Sequence, residues 1–578
     1  MTKTLVIQLA RMGDLLQSSP LIAAVKDRTP HTTITLLVSE ETRDMASAIP
    51  GVDEVVGIDF GRARRVVNAA ETNLSRQHRD FGELLKHIRG RSFDRVYNLN
   101  YSLLNARLMG LIRYRQAFCY GLDQTKRRIM RTPWMSYLFS TLGARRLSRF
   151  NLVDIYLHAA GLSSAGSSLH YQVDRQILES TGRFLAARGV TDRGRVIGFQ
   201  VGSGNPIRRW PLASYAQLAG LLTSREDVSI LVFGSPSEIR LGEDLEHRVL
   251  QECGPGGGAG EPRIFNLVGK TTRQELAAFV KHCSLLITPD TGTMHLATAV
   301  DTRVLAIFLG TAFCHETGPY GEGHLIVHPR LACYPCFEGG DLCPNHRCQS
   351  AVSPECVARV VEAMWQDDGG TRGPRSGIPH HDEVDVLQSR IRGGSVEYVP
   401  VQPSPLAVEQ VLGHGYRAMW RGVLDNEWSS PQAVIHELLK NHDGNALRED
   451  HLRELDRAGT GFENIENECA MGRPGSDRGW ERLEPMTEDR GETDYFWVRP
   501  IRRFLEVARD DIELGEGRYG MEMKPLLARV ARGAAFMKEF LHDTVHTLQS
   551  YPVGVTDGVS GEESEHPATE ARIAGRAG

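Results

Sequence analysis

The 578-residue sequence has no stretch approaching the ~18 consecutive apolar residues of a membrane-spanning helix. A helical membrane protein is therefore not expected. The opening run, Met1 to Leu9, is too short for a secretory leader and has no small-residue cleavage site. It passes straight into Arg11 and Asp14, so the expected compartment is the cytoplasm. An excess of charge of one sign is also missing. With 67 Lys and Arg against 72 Asp and Glu, the net charge is -5. That excludes a basic nucleic-acid coat and a polyacidic tail protein, and no nucleic-acid partner is expected. No repeat of 20–50 residues runs through the chain.

What is present is a globular composition: 41% hydrophobic, 24% charged and 7% aromatic, with 58 glycines. Abundant glycine suits many tight βα turns. At roughly 150 residues per domain the length predicts three to four domains. Residues 4–9, 33–38, 53–58 and 93–99 read as strands, and 13–28 as a helix. After the Gly/Ser-rich stretch around 161–168, a helix near 175–188 precedes new strands at 195–200, 228–233, 285–288 and 303–308. Alternating strands and helices predict βαβ units and parallel sheets. The expected domains are 1–165 and 190–366, both Rossmann-like. Residues 367–382 are a polar Gly/Pro linker. Residues 383–550 are a mainly helical accessory domain with no βαβ rhythm, and 551–578 a disordered tail.

Four strand ends carry polar motifs. Gly13 and Asp14 follow the first strand, where α/β sheets bind ligands. This turn lacks GxGxxG, which argues against a simple NAD domain. Asp14 suits a general base, and equally a helix cap. Gly202 and Ser203 precede Arg208-Arg209-Trp210-Pro211. The small residues allow close backbone approach, and Arg208 or Arg209 suits bidentate contact with a diphosphate, unless this is a plain turn with surface arginines. Glu238 closes the Gly234–Glu238 turn, where a carboxylate can accept from ribose hydroxyls. Asp290-Thr291-Gly292-Thr293-Met294-His295 joins a strand to a helix. Its first N–H groups and the helix dipole suit nucleotide phosphates, with His295 as a further hydrogen-bonding group. A capped helix with a structural histidine is the plainer alternative.

Two clusters remain. Residues 107–149 hold ten Lys/Arg against one acid, Asp123. Arg107, Arg113, Arg127 and Arg128 are the expected contacts to an anionic acceptor or membrane face; a solvated helical face is the alternative. Cys333-x2-Cys336-x6-Cys343-x4-Cys348 could make a structural zinc site, an iron–sulfur site or redox-active thiols.

In their order and spacing, Gly13-Asp14, Gly202-Ser203, Arg208-Arg209-Trp210-Pro211, Gly234 to Glu238 and Asp290 to His295 resemble glycosyltransferase family 9, the ADP-heptose:lipopolysaccharide heptosyltransferases. The resemblance covers residues 1 to about 366. It implies a GT-B fold, with two Rossmann-like domains facing across a cleft, here with a mainly helical C-terminal extension. It implies inverting transfer of a sugar, a heptose, from an ADP-linked nucleotide-diphospho-sugar to a lipopolysaccharide-core-like glycan or glycolipid, with peripheral contact at the inner membrane and no cofactor required for catalysis. Asp14 is then the base. Gly202, Ser203, Arg208, Glu238, Asp290, Thr291, Gly292, Thr293, Met294 and His295 bind the donor. Gly13 joins the arginines on the acceptor side. One departure is that family members usually carry Lys where this chain has Arg208. A GT-B epimerase or hydrolase and a non-catalytic carbohydrate-binding scaffold are the competing readings.

Overall fold

The computed structural model describes residues 2–59, 87–88, 90–100, 102–122, 128–162, 168–190, 194–224, 228–253, 263–336, 343, 345–366, 378, 383–443, 449–471, 500–501, 503–504 and 523–549. The expected linker, apart from Ile378, and the expected tail lie outside these residues, as does the Gly-rich insert at 254–260.

The first sheet holds β1 (Lys3–Gln8), β2 (Thr33–Ser39), β3 (Glu54–Ile58), β4 (Ser92–Asn98), β5 (Arg113–Leu122) and β6 (Arg128–Met130). Its order is β3-β2-β1-β4-β5-β6, parallel except for β6. The second sheet holds β7 (Arg195–Gln200), β8 (Val228–Phe233), β9 (Arg263–Asn266), β10 (Leu285–Pro289), β11 (Val304–Ile307) and β12 (Leu325–Pro329), with β13 (Val384–Arg392) and β14 (Ser395–Pro400) added. Its order is β14-β13-β12-β11-β10-β7-β8-β9, with β13 antiparallel to both β12 and β14. The central strands are almost uniformly apolar and buried, as strands covered on both faces must be. Strand order reverses between β1 and β4 in the first sheet and between β7 and β10 in the second. In such sheets ligands bind outside the carboxyl ends of strands at the reversal.

The expected helix at 13–28 is two helices, α1 (Met12–Gln17) and α2 (Ser19–Arg28). Pro20 sits in the first turn of α2, where its missing N–H costs nothing, so the chain restarts there. Later helices used below are α3 (Leu152–Ala159), α4 (Gly292–Ala299), α5 (Cys314–Thr317), α6 (Val408–Asp425), α7 (Pro431–Asn441), α8 (Glu449–Met471) and α9 (Met523–Gln549).

The expected boundary at 383 is corrected. β13 and β14 extend the second sheet by pairing β13 with β12, so that domain runs to Pro400. The helices beyond do not stand apart either. Trp134 Nε1 donates to Asp425 at 2.8 Å, and Tyr137 packs edge-on against Trp420. Arg417 pairs with Glu397 of β14 at 3.2 Å. Val6, Tyr137, Met294, Trp420 and Phe540 all belong to one continuous apolar core. A helical segment with a wide apolar stripe must bury it on something, and here it is buried against the first domain and the added hairpin.

Candidate active site

The turn after β1 starts α1 at its N-terminus. Asp14 is the third residue of that helix, and its carboxylate accepts the Arg11 backbone N–H at 3.2 Å. Asp14 is thus not the N-cap, which is Arg11; from the third position it makes only the carboxylate-to-backbone half of a capping box. Burial nonetheless outweighs that bond and the nearby Arg11 charge, and raises the Asp14 carboxyl above its ordinary range. A carboxylate with a raised pKa at the mouth of a switch-point crevice is what proton abstraction needs.

The turn after β10 starts α4, and the first turns of α1 and α4 meet across the two domains. A Cβ built on Gly13 would lie 2.9 Å from His295 Cδ2 and 3.5 Å from Gly292 Cα. One on Gly292 would lie 2.5 Å from Met12 Cε. Both glycines are needed for this approach. Gly13 thus serves the helix contact. His295 is buried against Gly13, and burial lowers its pKa to about 4, so it is neutral; its Nδ1 has no hydrogen-bond partner among the described residues. Met294 is fully buried in the core and Thr293 nearly so. Their side chains face the protein, leaving the backbone of this turn as the group offered to an anion.

Arg208 is held as a fork. Its Nε donates to Thr311 Oγ1 at 2.7 Å and its Nη1 to Asp290 Oδ2 at 2.8 Å. Thr317 Oγ1 also donates to Asp290 Oδ2, at 3.3 Å. Burial raises the Asp290 carboxyl to about 6 against the lowering effect of Arg208. Arg145, from the first domain, pairs with Glu316 beside Thr317 at 2.5 Å and donates to Thr311 O. Arg209 donates twice to Ser203 O, at 3.1 and 2.8 Å, and approaches Glu238 at 3.8 Å. Glu238 accepts from Ser235 N and Oγ at 2.8 and 2.9 Å, as a second capping box. A Cβ on Gly202 would overlap the Glu238 carboxylate at 1.9 Å, so only glycine fits there. Trp210 anchors this loop through Nε1 to Val352 O at 2.9 Å.

The structure thus gathers Asp14, Gly202, Ser203, Arg208, Glu238, Asp290, Thr291 and Gly292 at the two switch points. Sequence reading missed Thr311, Glu316 and Thr317. They lie in or just after a largely apolar stretch beyond β11, from Phe308 to Cys314, with only Thr311 and the His315-Glu316-Thr317 triplet as a sign. The basic segment divides. Arg145, Arg146 and Arg149 reach across to the second domain: Arg146 donates to Pro335 O at 3.3 Å, and Arg149 contacts His315 Nε2. Arg113 is corrected. It is exposed at the start of β5, opposite Ser92, about 20 Å along the strand from the cleft end. Arg127 and the side chains of Arg107 and Arg128 lie outside the described residues.

Cys333, Cys343 and Cys348 are close enough to raise the Cys336 thiol electrostatically, after burial. Yet among the described residues no group of three or more His, Cys, Asp or Glu converges to hold a metal.

Residues 81–346 match the model of "Glycosyltransferase family 9 (heptosyltransferase)". A lipooligosaccharide heptosyltransferase 2 of Campylobacter jejuni is 30% identical over 177 residues, which is 30% of this chain and 52% of that one. The chain thus spans about half the length of that relative, and 51% of a second Campylobacter jejuni relative of the same name. Lipopolysaccharide heptosyltransferase 2 of Salmonella typhimurium is 22% identical over 381 residues, covering 64% of this chain and 99% of that one. A solved family 9 glycosyltransferase from Veillonella parvula aligns at a TM-score of 0.48 and 21% identity, over 62% of this chain and 96% of that one.

Proposed function

We propose that this chain, a member of glycosyltransferase family 9 through its domain at 81–346, transfers a sugar, a heptose, from a nucleotide-diphospho-sugar to a lipopolysaccharide-core-like glycan. The observation that carries this reading is the meeting of two helix N-termini at the switch points of two parallel sheets. One carries a carboxyl of raised pKa, Asp14. The other is flanked by Arg208 and Asp290.

In this reading Asp14 accepts the proton of the acceptor hydroxyl. The freed oxygen attacks the anomeric carbon in line, and the bond from that carbon to the diphosphate breaks with inversion. Charge grows on the leaving diphosphate. Arg208 and the Thr291–Gly292 backbone are already aimed at it, so they lower the barrier without reorganising. The reading assigns the transfer step no metal, because these donors supply the compensating charge. Asp290 orients Arg208, and Glu238 accepts from the ribose. The donor to test first is ADP-heptose. The acceptor would be met from the cytoplasm, with peripheral contact at the inner membrane. The relatives' names support a heptose and a lipopolysaccharide or lipooligosaccharide acceptor.

The test is release of ADP from ADP-heptose by the full chain, with and without a core oligosaccharide. We expect acceptor-dependent release, reduced at least ~100-fold in kcat by Asp14→Asn, as befits removal of a general base, with ADP affinity unchanged. Equal release without acceptor would mean hydrolysis. Full activity in Asp14→Asn would leave Asp14 as a cap alone.

A further inference from the structure

Behind α5, on the side away from Asp290, lies a separate cavity of about 340 Å³. Three parts of the chain build it. The first domain supplies Arg146 and Arg149, the second sheet supplies His328 and the strands β13 and β14, and the C-terminal helices supply His414 and His442. Its size lies at the lower end of small-molecule sites. Half of its wall exists only because residues 384–442 fold back onto the family-sized unit.

The charges in this wall do not cancel. Arg330 is paired with Asp385 at 2.7 Å, and Arg146 lies 3.9 Å from the half-exposed Glu409. Arg149 has no carboxylate partner among the described ion pairs. It contacts His315 Nε2, donates to Glu409 O at 3.4 Å, and its buried Nε has no hydrogen-bond partner among the described residues. The histidines cannot supply a counter-charge, and burial, with the arginines, holds the pKa values of His315, His328, His414 and His442 down so that they add no further positive charge. The buried Tyr334 hydroxyl, also in the wall, has no partner among the described residues. A buried cation without a counter-ion is costly, and a cavity beside it gives room for one. Neutral imidazoles and a phenol both donate and accept, which suits hydroxyl groups. Leu331, Leu387 and Val399 supply apolar wall for a carbon skeleton.

We infer that this cavity binds a small hydroxylated organic anion, such as a sugar phosphate or a sugar acid, with its oxyanion on Arg149. The site is distinct from the donor site, and α5 separates them: His315 faces the cavity, while Glu316 and Thr317 face Arg145 and Asp290.

The test uses the full chain with the donor site disabled by Arg208→Ala. Thermal midpoints are measured against glucose 6-phosphate, gluconate, inorganic phosphate and, as neutral control, glucose. A ligand of the native state raises the midpoint with the logarithm of its concentration. We expect such a rise with glucose 6-phosphate or gluconate and none with glucose. The phosphate and carboxylate arms distinguish the two headgroups, and a rise with inorganic phosphate alone would make the site one for the inorganic ion and overturn the organic ligand. Arg149→Met should weaken binding about 10- to 100-fold, the value of hydrogen bonds to a charged group. Should that variant fail to fold, Ala407→Trp, at an exposed rim position, blocks the cavity and should also abolish the rise. No rise with any anion, or a rise that Ala407→Trp leaves intact, overturns the inference.

Discussion

An aspartate in the first turn of a helix ordinarily gains from being ionised, because it faces the positive end of the dipole. Asp14 has that benefit and a bond from the Arg11 N–H, yet its carboxyl is held above its ordinary range by burial. The charged form therefore costs the folded state more than the unfolded one. The unfolded chain ionises first as pH rises, so the native state binds the extra proton and stability falls through that window. Asn keeps an oxygen for the Arg11 N–H and cannot ionise. Asp14→Asn should therefore gain stability over the wild type progressively as pH rises from about 4, in the same protein that loses transfer. Denaturant midpoints across pH check this, and a difference constant with pH would refute it. Arg208 is decided by geometry instead. Its two bonds, to Thr311 and Asp290, leave from different nitrogens of one planar fork. A lysine carries its donors on one nitrogen and does not reproduce this rigid fork. Arg208→Lys should weaken ADP binding about tenfold, the order of one charge-assisted bond, despite conserved charge. Calorimetric titration with ADP reads this, and equal affinity would mean that charge alone matters there.

At the scale of elements, α3 shows how the domains are tied. Asp154 of that helix accepts from Tyr320 Oη at 2.8 Å and from the Val396 N–H of β14 at 3.1 Å. Burial raises its carboxyl to about 7. Between the unfolded value near 4 and about 7, the native state holds a proton that the unfolded chain has lost. Stability should fall across that window by up to about 1.4 kcal/mol per pH unit and level off above it. Asp154→Asn removes the slope. It adds a cost constant with pH, because its amide faces the Val396 N–H or the tyrosine hydroxyl with a donor. Unfolding curves at pH 5, 6, 7 and 8 separate the two effects, and a slope surviving in the variant would exclude Asp154 as its source. The elements were unevenly legible. β1, β2, β7, β8 and β10 are apolar runs that only a doubly covered strand explains. β5 was hidden because its arginines and its Tyr114, Phe118 and Tyr120 alternate within a stretch dominated by charge. β13 and β14 carried a readable sign, Gly393-Gly394 between two alternating runs, with φ of 55° and 77°. The site was legible where its motif lies within one turn. The Arg145–Glu316 pair spans 171 residues and was not.

On the scale of the whole molecule, the family resemblance drew a boundary that the packing does not respect. Residues 1–366 look like a complete two-domain unit, and the rest like an appendage. Yet β13 covers the edge of β12, which would otherwise expose a row of unpaired backbone groups. α6 covers Tyr137 and Phe150 of the first domain through Trp420 and Arg417. α6, α8 and α9 close on one another, with Phe462 and Phe540 fully buried. Uncovering a buried large apolar side chain costs about 1.5–3 kcal/mol. Losing several such covers approaches the ~5–15 kcal/mol by which whole domains are stable. A chain ending at Gln366 should therefore aggregate or unfold at much lower denaturant, and a chain ending at Pro400, which keeps the hairpin, should recover only part of the difference. Solubility on expression and urea unfolding of the three lengths decide it. A 1–366 protein with the full chain's midpoint would mean that the C-terminal third merely rests on the two-sheet unit instead of completing its core.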